Sequence, residues 1–204
     1  MTRDFIWSAS VQVGAATLLL FSLVIAIEAA DSDGYVTVST RIGSYKGHAY
    51  PAPDGGKMDV FYGIPYAIPP VGQRRFRRPR VMRRFAGVQD ATKPGNVCMQ
   101  QSPDLWDLGS ATQSEDCLNL NIYRPRPRHG VSDDMPVMVY VHGGNFKDQT
   151  SGLFNFTNLA LKGVIVVTVN YRLDVFGFLS TQDRILPGNY GLLDVRTALR
   201  FIQV

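Results

Sequence analysis

The chain has 204 residues, 45% apolar and 19% charged, long enough for one buried core and too apolar for a disordered polymer. Its net charge of +4 comes from one stretch: without the seven arginines Arg74, Arg75, Arg77, Arg78, Arg80, Arg83 and Arg84 the chain would stand at −3. So dense a cluster can bind nucleic acid or a sulfated polysaccharide. Only Phe76 and Phe85 interleave it and no nucleic-acid motif accompanies it, so a solvated surface with one or two structural arginines is preferred and no nucleic-acid partner is expected.

From the amino terminus, Val11 to Ile27 carries no charge and is followed by Glu28-Ala29-Ala30-Asp31. That is the layout of a secretory signal peptide over residues 1–30, leaving 31–204 as the mature domain outside the cell. The apolar run approaches spanning length, so an uncleaved anchor is the competing reading, and membrane contact is expected only in that case. Export permits a disulfide between Cys98 and Cys117, the alternative being two unrelated buried thiols. It also gives meaning to Asn155-Phe156-Thr157, an N-glycosylation sequon.

Val36-Thr37-Val38 and Met58-Asp59-Val60-Phe61-Tyr62 read as strands flanking a turn signal at Pro53-Asp54-Gly55-Gly56, an antiparallel edge outside the main sheet. Three prolines between Gly63 and Gly72 predict a stiff loop and exclude a central strand. Residues 86–116 are unpatterned, and a Cys98–Cys117 link would tie off a loop holding Trp106. Leu118 to Tyr123 alternates strictly and predicts a strand.

Val137 to Val141 is an unbroken apolar run that predicts a strand buried on both faces of a parallel sheet. It stops at His142-Gly143-Gly144-Asn145. Glycines at the carboxyl end of such a strand let main-chain N–H groups turn toward a ligand, and a fixed pair of such donors is what an oxyanion needs. A Gly-Gly turn that only redirects the chain explains these residues equally well. A short helical stretch around Asn158 to Lys162 leads to a second buried strand, Val164 to Val169. Leu192, Val195, Leu199 and Ile202 then form the apolar stripe of an amphipathic helix with no stop signal before Val204, which suggests a severed chain.

Several segments together resemble the type-B carboxylesterase and cholinesterase family, a branch of the α/β-hydrolase fold. They are Val60 to Ala67 with Pro69-Pro70-Val71-Gly72, Arg75-Phe76 with Arg78-Pro79, Ser114-Glu115-Asp116-Cys117-Leu118-Asn119-Leu120-Asn121, the His-Gly-Gly stretch, Asn170-Tyr171-Arg172, Gly177-Phe178-Leu179-Ser180 and Pro187 to Asp194, in family order. The resemblance implies an α/β-hydrolase fold, truncated before the nucleophile elbow, with a small antiparallel N-terminal sheet. It implies that Gly143, Gly144 and Asn145 form the oxyanion loop, with Asn145 replacing the usual glycine or alanine. It also implies a Cys98–Cys117 disulfide and two buried salt bridges, Arg75–Glu115 and Arg172–Asp194. Trp106 falls near the family's choline-binding tryptophan, where rim packing is the preferred role. His142 is implied to be structural, and His48 and His129 are read as exposed loop residues.

No Gly-x-Ser-x-Gly occurs in the chain, so the nucleophile elbow is expected beyond Val204 and the chain alone is expected to be inactive. The first hypothesis is the amino-terminal part of a secreted serine esterase acting on small-molecule carboxylic esters. The second is a catalytically silent adhesion relative similar to neuroligins or glutactin-like proteins, and the third a truncated product with no function of its own. No metal or cofactor is expected, because the histidines and cysteines lack ligand spacing and no phosphate loop occurs.

Overall fold

A computed structural model describes residues 26–27, 34–52, 55–101, 112–126 and 134–203. Most of the apolar leader, Pro53-Asp54, Trp106 and His129 lie outside the described residues. The main sheet is mixed and has eight strands in the order β1-β2-β3-β4-β8-β10-β9, with β5 also paired to β3. These strands are β1 (Ala26–Ile27), β2 (Tyr35–Ser39), β3 (Ser44–Pro51), β4 (Lys57–Pro65), β5 (Val88–Asp90), β8 (Asn119–Pro125), β9 (Val137–Val141) and β10 (Ile165–Val169), while β6 (Val97–Cys98) and β7 (Gln113–Ser114) pair separately. Among the described residues three α-helices complete it: α1 (Thr157–Ala160), α2 (Asp174–Phe178) and α3 (Tyr190–Ile202). This is a partial α/β-hydrolase fold with its antiparallel N-terminal strands present.

Those N-terminal strands do not lie outside the main sheet. β4 pairs antiparallel with β3 on one side and with β8 on the other, so a single sheet runs through it. β4 also continues past Tyr62 into the segment read as a loop, because a register shift between Phe61 and Ile64, with Gly63 at φ +64°, lets pairing resume. Pro65 is its last residue, where a missing N–H costs least.

β8 alternates in sequence yet is buried almost throughout. Its asparagines are satisfied inside: Asn119 Nδ2 donates to Asn96 O at 2.8 Å, and Asn121 Nδ2 donates to Thr168 Oγ1 at 3.0 Å while its Oδ1 accepts from Gly63 N. β10 is buried from Val166 to Val169. β9 is buried only in part: Val139 packs against the core and the Tyr140 ring lies 4.8 Å from that of Phe156, but Val137, Met138 and Val141 are 46%, 48% and 41% exposed, because β9 pairs only with β10 among the described strands.

α3 forms, but only half of its expected apolar stripe faces the core: Val195 and Ile202 pack against it, Leu192 and Leu199 are exposed, and the most buried residues are Tyr190, Gly191, Asp194, Thr197, Ala198 and Phe201. The rotation is set by Asp194, whose carboxylate accepts from Arg172 Nε at 2.7 Å, Arg172 Nη2 at 2.8 Å and the Arg172 main-chain N–H at 3.1 Å. Close packing adds to it. A Cβ on Gly191 would stand 2.5 Å from the Arg172 carbonyl oxygen, and one on Gly177 of α2 only 2.2 Å from the same atom.

The other arginine pair, Arg75 with Glu115, forms at the surface and is not buried, its side chains being 44% and 20% exposed. A second buried ionic group escaped the sequence reading: Asp59 is fully buried and accepts from Arg126 Nε at 2.7 Å and Arg124 Nη1 at 3.4 Å. Cys98 and Cys117 are joined by a disulfide across a separation of 19 residues.

The two arginine pairs therefore differ in consequence. Asp194→Ala leaves a guanidinium buried without its counter-charge and is expected to cost about 3–5 kcal/mol in urea unfolding of the intact protein. Glu115→Ala, at the surface, is expected to cost under about 1 kcal/mol. Equal losses would contradict this division.

Candidate functional site

The chain leaves the carboxyl end of β9 at Val141 and turns tightly, with Lys147 N and Asp148 N both donating to Gly144 O. Gly144 has φ +90°, and a Cβ there would fall 2.3 Å from both the carbonyl oxygen and Oδ1 of Asp148. Glycine is therefore required at this position. Gly143 differs: nothing but Gln149 Oε1, at 3.9 Å, approaches its Cβ position.

Asn145 and Phe146 continue at φ 53° and 63°, followed by Gln149 at 82°, a concentration of left-handed non-glycine residues in one loop. Asparagine is among the residues that tolerate this region best, so Asn145 keeps the turn that glycine would allow. The N–H groups of Gly144 and Asn145 find no acceptor among the described residues, and Gly143, Asn145 and Phe146 are exposed. The loop thus holds main-chain donors without a described acceptor in a turn of left-handed angles, a conformation that persists only where the surroundings over-determine it.

Three supports hold it. His142 is buried, its ring stacks on Tyr171 with centroids 4.5 Å apart, and the Tyr171 hydroxyl donates to His142 O at 2.9 Å. Asp174 N, at the start of α2, donates to Phe146 O at 2.7 Å, and the Phe146 and Phe178 rings lie 5.0 Å apart. On the far side the Gln100 amide clips the loop, its Oε1 accepting from Gln149 N and its Nε2 donating to the carbonyls of Gln149 and Cys98. Sequence reasoning missed Gln100, which sits in an unpatterned segment with no periodic signal to mark it.

Other residues singled out in the sequence gather nearby. Cys98, Cys117, Arg75, Glu115 and Arg172 line one cavity of about 10 Å³, room for no more than a water molecule. Gln100 joins the disulfide end of this group to the loop. Asn155 stands apart, exposed, on a polar cavity of about 250 Å³ shared with Asn119 and Asn121, and its Oδ1 accepts from Thr157 N. His48 is not a loop residue: it lies in β3, stacks between Tyr35 and Tyr50, and its Nε2 contacts Thr92 O at 3.0 Å. Among the described residues no group of histidine, cysteine and carboxylate side chains could hold a metal.

A model of the family described as Carboxylesterase family matches residues 34–204. Similar proteins include a carboxylic ester hydrolase of Bombus ignitus, 40% identical over 81% of this chain and 30% of the relative. Mouse Carboxylesterase 3B is 42% identical over 81% of this chain and 31% of its own length. Mouse Neuroligin-3 is 35% identical over 81% of this chain and 25% of its own. The chain thus spans about 30% of the length of the first relatives it matches.

His142 carries a pH signature. Burial pushes its imidazole down to about 4, against smaller opposing effects of the Gly143 carbonyl and Asp148. The unfolded chain takes up this proton near pH 6.5 and the native state only near 4, so the stability this group lends is complete above 6.5 and falls as pH drops through that window. The slope is about 1.4 kcal/mol per pH unit. His142→Phe, which keeps a ring for Tyr171, is expected to flatten the unfolding midpoint of the intact protein between pH 6.5 and 4. An unchanged slope would show that His142 does not titrate in this way.

Proposed function

The chain belongs to the carboxylesterase family, and on that premise we propose that it is the amino-terminal part of a secreted serine carboxylic-ester hydrolase whose loop at Gly143, Gly144 and Asn145 holds the oxyanion. Attack on an ester carbonyl converts it to a tetrahedral intermediate with charge on oxygen, and donors fixed before reaction stabilise that charge without reorganisation. One observation carries the reading: among the described residues the N–H groups of Gly144 and Asn145 have no acceptor, in a turn that three separate contacts hold in place.

The hole does not make the intermediate it stabilises. No Gly-x-Ser-x-Gly occurs in these 204 residues, so the serine, the acid and the catalytic histidine are assigned to another part of the protein, and the chain alone does not turn over ester. The substrate is a small-molecule carboxylic ester. Export is supported by the Cys98–Cys117 disulfide, a bond that persists in oxidising compartments. The exposed Asn155 of the sequon is assigned as a glycosylation site.

The second reading, a silent adhesion relative, is supported by the likeness to Neuroligin-3 and by the exposed Asn145 side chain standing in a glycine position. The two separate by activity. The esterase reading expects the intact protein to hydrolyse a simple aryl ester and to label with an organophosphate. Gly144→Ala, which must displace Asp148, is expected to lower kcat by about 10²–10³-fold with KM little changed. A folded protein that neither hydrolyses nor labels would leave the adhesion reading in its place.

A further inference from the structure

The arginine cluster that dominates the charge of the chain is not a featureless solvated face. Arg74, Arg77, Arg78 and Arg80 meet Arg184, more than 100 residues away in sequence, around one open cavity of about 710 Å³. Among the described residues no acidic side chain lines it. The arginine in the run that has a carboxylate partner, Arg75, is held by Glu115 outside the lining. Among the described residues none of the five has an ion pair.

The backbone that carries these exposed arginines is ordered on both sides of the cavity. On one side the chain turns from Gly72 through Arg77, with Arg75 N donating to Gly72 O, Arg77 N to Arg74 O, and Phe76 at φ 55°. On the other side the carboxylate of Asp183 is occupied locally, accepting from the Thr181 hydroxyl and from the N–H groups of Ile185 and Leu186. That leaves Arg184 beside it free to face the cavity. Five like charges gathered without counter-charge are repulsive in the absence of a ligand, so the arrangement is complementary to a polyanion.

We propose that this cavity is a binding site for a sulfated polysaccharide, its sulfate groups held by the planar donor forks of the five arginines. The inference does not rest on the catalytic reading. Nucleic acid is disfavoured because base stacking needs a free ring. Phe76 is already stacked on Phe176 at 6.1 Å, and Tyr190 is buried with Arg172 over its ring. A bilayer is disfavoured because a flat array of headgroups does not follow a concave lining. The Cys98–Cys117 disulfide points to an oxidising compartment, and outside the cell the abundant multivalent anions are sulfated glycan chains.

The test is retention of the intact protein on immobilised heparin across a salt gradient. The triple variant Arg77→Ser, Arg78→Ser, Arg184→Ser is compared with Arg83→Ser, Arg84→Ser, Arg200→Ser, an equal charge change at exposed arginines outside the cavity. The first variant should bind heparin at least about tenfold more weakly at physiological salt with a shallower salt slope, and the second close to wild type. Chemically desulfated heparin should not retain the protein. On wild-type protein, heparin should shield Arg77, Arg78 and Arg184, but not Arg83 or Arg84, from an arginine-specific dicarbonyl reagent, a readout that needs no variant to fold. Equal losses in the two variants, uniform or absent shielding, or tighter binding to single-stranded DNA or phosphatidylserine vesicles would each overturn the proposal.

Discussion

The buried pair of Arg172 and Asp194 is the interaction on which the arrangement of this protein turns. Both side chains are almost completely withdrawn from water, at 4% and 0% exposure, where an unmatched charge costs several kcal/mol. Arg172 directs three N–H groups at one carboxylate, and its carbonyl oxygen is the surface against which Gly177 and Gly191 pack. One residue just past β10 thereby fixes both following helices. Tyr190 adds its ring beneath the guanidinium at 5.3 Å.

That anchor reaches the loop after β9 through α2. Asp174 and Phe178, at the two ends of that short helix, hold the carbonyl and the ring of Phe146. Tyr171, the neighbour of Arg172, holds His142 by stacking and by its hydroxyl. The turn between these two supports keeps left-handed angles at Gly144, Asn145 and Phe146, which an unsupported loop would relax. The shape of the loop therefore depends on packing against α2 and the segment after β10.

Much of the fold was legible in the sequence because local chemistry and tertiary context agree. β10 is apolar throughout and is buried, and Val36-Thr37-Val38 and Met58 to Tyr62 are strands. The failures have a common physical origin: burial belongs to neighbours, not to a residue alone. Val137 to Val141 reads as a two-face buried strand, but its exposure is decided by its having one partner strand. The alternation of β8 predicts the strand but not where its polar residues lie: Asn121 is buried, donating to Thr168 Oγ1 and accepting from the Gly63 N–H. Of the stripe Leu192, Val195, Leu199 and Ile202 on α3 only Val195 and Ile202 reach the core, because the helix is rotated by one ion pair and one glycine contact, neither of which has a period. At the site, the glycines were visible as residue types, and the need for Gly144 but not Gly143 became visible only with Asp148 in place.

The central claim is that two main-chain amides in a strained turn accept the charge of an acyl-transfer intermediate. It is tested most directly by a crystal structure of the intact protein carrying a trifluoromethyl ketone that forms a tetrahedral adduct. The account places the adduct oxygen about 2.7–3.1 Å from the nitrogens of both Gly144 and Asn145, with the turn angles unchanged. An adduct oxygen held by other groups, or N–H groups of Gly144 and Asn145 paired with the main chain of the intact protein, would contradict it.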